Sequence, residues 1–126
     1  MPVIENNNYT PSFLFRMGHF NTIYPYVFRE TPDNGYIRER LITYDHDFID
    51  IDLLQNQNNR LVILCHGLEG SSQSKYILHT ARLLHNNKWD VLCMNYRGCS
   101  GEMNLKVEMY HSGFTQDLHM LVEIYQ

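Results

Sequence analysis

An α/β fold is predicted for this chain: an antiparallel hairpin followed by parallel strands with crossover helices. Three observations predict it. In "FIDIDLL", Ile49, Ile51 and Leu53 alternate with Asp50 and Asp52, the period of two of a strand. "LVILC" and "WDVLCM" are short continuous apolar runs, as expected of strands covered on both faces. Between them, "SKYILHTARLLHNNK" sets Ile77, Ala81 and Leu84 at helical spacing.

Taken in order, residues 1–35 form an aromatic arm punctuated by Pro11, Pro25 and Pro32, which are expected to forbid a long regular element. Phe13, Phe15, Phe20, Tyr24, Tyr26 and Phe28 are too apolar for a disordered tail, so the arm is expected to pack on a core. "TPDNG" closes it with turn chemistry. Residues 36–126 form the core. "YIRERLI" and "FIDIDLL", joined by "YDHD", read as a hairpin whose aspartate face is wet. "NQNN" is a loop. Ser71, Ser72 and Ser74 offer an N-cap to the helix after "LVILC", and Asn86-Asn87 a left-handed stop. A strand, a helix and a strand in succession call for a parallel pair with a right-handed crossover. The last helix places Phe114, Leu118, Leu121, Val122 and Tyr125 on one stripe. No repeat or low-complexity segment appears.

Composition narrows the function. The net charge is −4, and the 10 lysines and arginines form no basic cluster, which argues against a nucleic-acid surface. The aromatic arm has no basic interleaving that would make it a stacking platform for bases. No apolar stretch approaches the roughly 18 residues of a transmembrane segment. "MPVIENNNYT" shows no secretory leader. Cys65, Cys93 and Cys99 lack C-x-x-C spacing and read as reduced structural thiols, so a cytoplasmic location is expected. Asp45, Asp47, Asp50 and Asp52 lack the central glycine and terminal glutamate of a calcium loop, and read instead as the wet face of the hairpin. No metal site is expected.

Chemistry concentrates in three stretches. "LVILCHGLEG" runs a buried strand into His66-Gly67, at the carboxyl edge of a parallel sheet where such folds place ligands. Gly67 is expected to let the backbone turn sharply, so that the next N–H faces the crevice and can stabilise a developing oxyanion. "NYRGCSGEMN" puts Gly98 and Gly101 in a tight loop with Arg97 at the same edge. "YHSGFTQDL" sets Tyr110, His111 and Ser112 before the last helix. Two uses are open: His111 as a base with Cys99 or Ser100 as nucleophile, or Arg97, Glu102, His111 and Asp117 as a hydrogen-bonded network holding the loops.

In this order and spacing, "HGLEGSSQSKYI", "NYRGCSGEMN" and "YHSGFTQDL" resemble the α/β-hydrolase superfamily, and more narrowly its YheT-like esterase/lipase branch. The arm's "GHFNTIYP" is similar to that branch's G-H-x-x-T-I-Y/W-P pattern, matched at Gly18, His19, Thr22, Ile23, Tyr24 and Pro25. The resemblance runs from about residue 13 to the end. It implies that Leu68, following His66-Gly67, donates one oxyanion-hole N–H, the other coming from the residue after the nucleophile. Glu69, Gly70, Arg97, Gly98, Tyr110, His111 and Asp117 are supporting motif positions. The nucleophile of a G-x-S-x-G elbow, its acid and its histidine are not found: "RGCSGE" lacks the closing glycine, and His66 and His111 precede the place where the nucleophile would stand.

The expectation is thus the N-terminal part of an α/β-hydrolase fold, truncated before the nucleophile elbow. It would be a fragment of a serine hydrolase acting on carboxylic esters, such as acylglycerols or other lipid esters, and inactive alone. The resemblance implies no metal and no organic cofactor. A complementing C-terminal hydrolase segment is the implied partner, and the isolated chain is expected to self-associate through the open edge of "LVILC". The alternatives are a non-catalytic regulatory module built on half a hydrolase fold, or a small cysteine enzyme using Cys99 and His111.

Overall fold

The computed structural model describes residues 10–126; all but the last residue of the stretch read for a secretory leader lies outside them. The chain divides into two compact units, Met1–Glu30 and Thr31–Gln126. In the first, a short 3-10 turn, Phe13–Arg16, leads into helix α1, Gly18–Phe28. This corrects the expectation that the prolines forbid a long regular element, for the helix has 11 residues and Pro25 sits inside it. An aromatic ladder runs along one face of the helix. Phe20, Tyr24 and Phe28, each four residues apart, have ring centroids 5.0 and 5.1 Å apart, and Phe15 meets Phe20 and Tyr24 edge-on. The Arg29 N–H then closes the helix on the Pro25 carbonyl at 3.3 Å.

The second unit is a four-stranded sheet with helices. Strands β1 (Ile37–Ile42) and β2 (Phe48–Leu54) form the expected hairpin, turning through "TYDHD" with His46 in the left-handed region. Strand β3 (Leu61–Cys65), helix α2 (Lys75–Asn86) and strand β4 (Asp90–Asn95) follow, and helix α3 (Gln116–Ile124) ends the set. The strand order is β1-β2-β4-β3, with β3 and β4 parallel and the other pairs antiparallel. Ile49, Ile51 and Leu53 face Leu92, Met94, Met120 and Leu121 in one core cluster. Leu54, Val91 and Cys93 face Ile77 and Ala81 of α2 in the other.

Several details depart from the sequence reading. The aspartate face of β2 is not wet: Asp50 and Asp52 are 2% and 1% exposed. Cross-strand register explains it. Arg38 lies opposite Asp52 and Arg40 opposite Asp50, and each guanidinium forks onto its carboxylate at 2.7–2.9 Å. Burial works against ionisation at both carboxylates. It is outweighed by Arg40 and Ser100 at Asp50, and by Arg38, Ser72 and Asn95 at Asp52, so both stay below the usual carboxylate range. Asp47 is fully buried as well, accepting from the N–H groups of Phe48, Leu105 and Lys106 and from Asn104.

Conversely, the apolar β3 is only half-buried, and Cys65 at its end is exposed. Strand β3 pairs with β4 alone, so among the described residues its other edge is open. At the end of α2 the left-handed residue is Lys88, beyond the Asn86-Asn87 pair. On α3 Met120 is buried and Val122 exposed, so the core stripe passes through Asp117, Met120 and Leu121. Among the described residues no helix is long and apolar enough to cross a membrane.

Candidate active site at the carboxyl edge of the sheet

Strands β3 and β4 run parallel and end side by side, with Cys65 opposite Met94. Just past the two strand ends, His66 and Tyr96 meet. The His66 ring is buried and its two nitrogens are committed: Nδ1 lies 2.7 Å from the Gly67 carbonyl, and Nε2 accepts the Tyr96 N–H at 3.2 Å. A carbonyl can only accept, so these partners assign the neutral tautomer with the proton on Nδ1. The ring also packs edge-on against Tyr96 and Tyr110, whose own rings stack at 4.8 Å.

Beyond His66 the chain makes a tight turn, Gly67 to Gly70, closed by the Gly70 N–H on the Gly67 carbonyl at 3.0 Å. Glu69 has φ 55° and Leu68 does not share the left-handed region, which is the pattern of a type II turn. The turn's amides are unequally occupied. Gly67 N–H donates to the Tyr76 hydroxyl at 2.6 Å, and Glu69 N–H to the Tyr110 hydroxyl at 2.8 Å. Leu68 N–H has no acceptor among the described residues, and the Leu68 side chain is 86% exposed. The glycine requirement also lies elsewhere than expected. A Cβ on Gly67 would meet only the Tyr76 hydroxyl at 3.6 Å, an ordinary contact, whereas one on Gly70 would crowd the Gly67 carbonyl at 3.1 Å and the His66 side chain at 3.2 Å.

The two other stretches converge on the same edge. Arg97 is buried and forks twice, onto Asp117 at 2.9 Å through both contacts and onto Asp45 at 2.6 and 3.0 Å. This ties the β4 loop to α3 and to the hairpin turn, and the guanidinium holds the Asp45 carboxyl far below the usual range, with Thr43 assisting. Gly98 and Gly101 take positive φ, as a tight loop requires. Asn104 accepts the Gly98 N–H and donates to Asp47 and to the Phe48 carbonyl, pinning the loop over the start of β2.

The expected network of Arg97, Glu102, His111 and Asp117 is only half realised. Glu102 pairs with Arg40 instead, at 2.8 Å, and the exposed His111 accepts from the Gly113 N–H of its own turn. The pairing of His111 with Cys99 or Ser100 is not formed either. The Ser100 carbonyl accepts from Arg38 at 2.9 Å, and the Cys99 N–H donates to the Tyr96 carbonyl at 2.9 Å. Burial, with Cys65 beside it, pushes the Tyr96 hydroxyl up to about 12, so it is a neutral donor at physiological pH. Tyr76, which meets Gly67, lies within the stretch "HGLEGSSQSKYI" but was given no role there; its place in the first turn of α2, nine residues on from Gly67, was the available signal. Among the described residues no three His, Cys, Asp or Glu side chains gather as a metal site.

No protein-family model matches the chain. Curated relatives do. YheT of Escherichia coli K12, named an esterase by inference, is 35% identical over 79% of this chain and 30% of its own length. The embryogenesis-associated protein EMB8 of Picea glauca is 27% identical over 83% of this chain and 26% of its own length. Phospholipase ABHD3 of Mus musculus is 26% identical over 96% of this chain and 31% of its own length. The chain therefore spans less than a third of the length of each of these relatives.

Proposed function

The chain belongs to the α/β-hydrolase superfamily, and from that premise we propose that its Gly67–Gly70 turn is the oxyanion-binding half of a carboxylic-ester hydrolase site. The observation that carries the reading is the Leu68 N–H. It stands at the carboxyl edge of the parallel strands while both neighbouring amides are bonded to tyrosine hydroxyls. When a nucleophile attacks an ester carbonyl, negative charge gathers on its oxygen. A fixed N–H aimed at that oxygen lowers the barrier by roughly 2.7–4 kcal/mol in hydrolases where one such donor has been removed. Leu68 does this through its backbone, so the side-chain identity is free to serve the substrate.

The nucleophile, its acid and its histidine base come in this proposal from a complementing hydrolase segment. The open edge of β3 supports that arrangement, since it offers unpaired backbone groups for a further parallel strand. His66 is not the base, because both its nitrogens are engaged within the fold. An ester with apolar acyl groups suits the same edge, where Leu68, Met103, Leu105 and Val107 are all exposed. Lipid esters are the substrate class in this reading.

The purified chain and p-nitrophenyl acetate supply the test. We expect no hydrolysis above that of the denatured chain, because a donor without a nucleophile has nothing to stabilise. Turnover that disappears in Ser100→Ala or Cys99→Ala would overturn the proposal and place a nucleophile within these residues.

A further inference from the structure

We propose that Tyr76 and Tyr110 are positioning residues, whose hydroxyls fix the two amides on either side of Leu68 and so aim the Leu68 N–H at the crevice. The proposal rests on the oxyanion reading above. Its basis is geometric. A four-residue turn carries four amides, and here the Gly70 N–H closes the turn itself. That leaves three amides able to point outward. Tyr76 takes the first at 2.6 Å and Tyr110 the third at 2.8 Å, so only the middle one is left for a ligand.

The two hydroxyls come from separate parts of the chain, Tyr76 from the first turn of α2 and Tyr110 from the loop before α3. Each supplies what a rigid donor needs. A turn residue with φ 55° that is not glycine carries backbone strain, and a turn left alone can relax by rotating the peptide between Leu68 and Glu69. That rotation would swing the Glu69 N–H off Tyr110. The Tyr110 ring cannot follow readily, since it is stacked on Tyr96 at 4.8 Å with the planes 9° apart and meets the buried His66 ring edge-on. Tyr76 holds the strand side of the turn, where a hydroxyl can accept the Gly67 N–H and still donate its own proton to water or substrate. Replacing either tyrosine by phenylalanine keeps the ring and removes only the acceptor.

Hydrogen exchange resolved to single amides, on the whole chain at low micromolar concentration, tests this without any activity. Tyr76→Phe is expected to speed exchange of the Gly67 amide, and Tyr110→Phe that of Glu69, by about five- to tenfold each, the loss of one hydrogen bond. Amides in β2 and β4 should keep their rates. An unchanged Gly67 or Glu69 rate in its own variant overturns the brace, as does a uniform acceleration across the sheet. A second readout uses a chimera in which this chain replaces the matching segment of the Escherichia coli relative. There each variant should lower kcat and leave KM near its starting value. Faster exchange with unchanged kcat would make the hydroxyls merely structural and overturn the positioning role. Leu68→Pro in the same chimera removes the donor, and Leu68→Ala, which keeps the N–H and loses the side chain, is its control, so failure of the brace and failure of the oxyanion reading are separable.

Discussion

Strands β2 and β3 reverse what their sequences suggest. "FIDIDLL" carries two aspartates and is buried at all seven residues; "LVILC" carries no charge and is half-exposed throughout, with its last residue in solvent. The difference lies in the neighbours. β2 has β1 on one side and β4 on the other, and the side chains of β1 bring two guanidinium groups into register with its aspartates. β3 has β4 on one side and, among the described residues, nothing on the other. Burial of a strand is thus set by its place in the sheet, and a charged face can enter a core when the opposite strand carries matching charges two residues apart.

Acid should break the comparison most completely. Asp45, Asp47, Asp50 and Asp52 are all held below the ordinary carboxylate range in the folded chain. A depressed folded pKa contributes stability that is present above the unfolded value, near 4, and is lost as pH falls through the folded one. Denaturation midpoints should therefore be level from pH 7 to about 5 and fall steeply below about pH 4. Stability that rises on acidification would mean that the buried face of β2 prefers neutral carboxyls, contrary to the ion pairs.

Removing one member of that face should come next in size. Asp52→Ala removes the acceptor of the Ser72 hydroxyl, one of the two acceptors of the Asn95 amide, and the carboxylate on which Arg38 forks. We expect a loss of about 3–5 kcal/mol, typical of breaking a buried charged network, measured by urea unfolding. A loss below about 1 kcal/mol would show the face to be wet after all. A pair of leucine truncations then sharpens the contrast between the strands. Leu53→Ala in β2 should cost about 2–5 kcal/mol, as at other fully buried leucines, and Leu64→Ala in β3 less than half as much. Equal costs would mean that β3 is covered in solution, and light scattering at micromolar concentration would then show the self-association that covers it.

Much of the fold was legible because its signals are local. Period-two alternation marked the hairpin, and two apolar runs around a helical pattern marked the parallel pair. What escaped depends on partners distant in sequence. Nothing within "FIDIDLL" says that its aspartates are buried; the signal was the alternation of Arg38 and Arg40 in "IRERLI", read against the hairpin register. The helix through Pro25 carries aromatic contacts four residues apart, a pattern masked in the sequence by the proline between Tyr24 and Tyr26. At the edge of the sheet, the motif stretches converge as their order implied, with His66, Tyr96 and Tyr110 in contact. The roles inside them shifted. Gly70 rather than Gly67 is the crowded glycine, and the hydroxyl of Tyr76, to which the sequence reading gave no role, holds the turn.

The donor role of Leu68 is tested most directly by removing its N–H while keeping the turn. The turn allows this, because Leu68 occupies the second position of a type II turn, where proline is well tolerated. In the chimera with the Escherichia coli relative, Leu68→Pro is expected to lower kcat for a p-nitrophenyl ester by about 10²–10³-fold. KM should change little, since the donor serves the transition state more than the bound ester. An unchanged kcat in a folded Leu68→Pro chimera would contradict the oxyanion assignment of the Gly67–Gly70 turn.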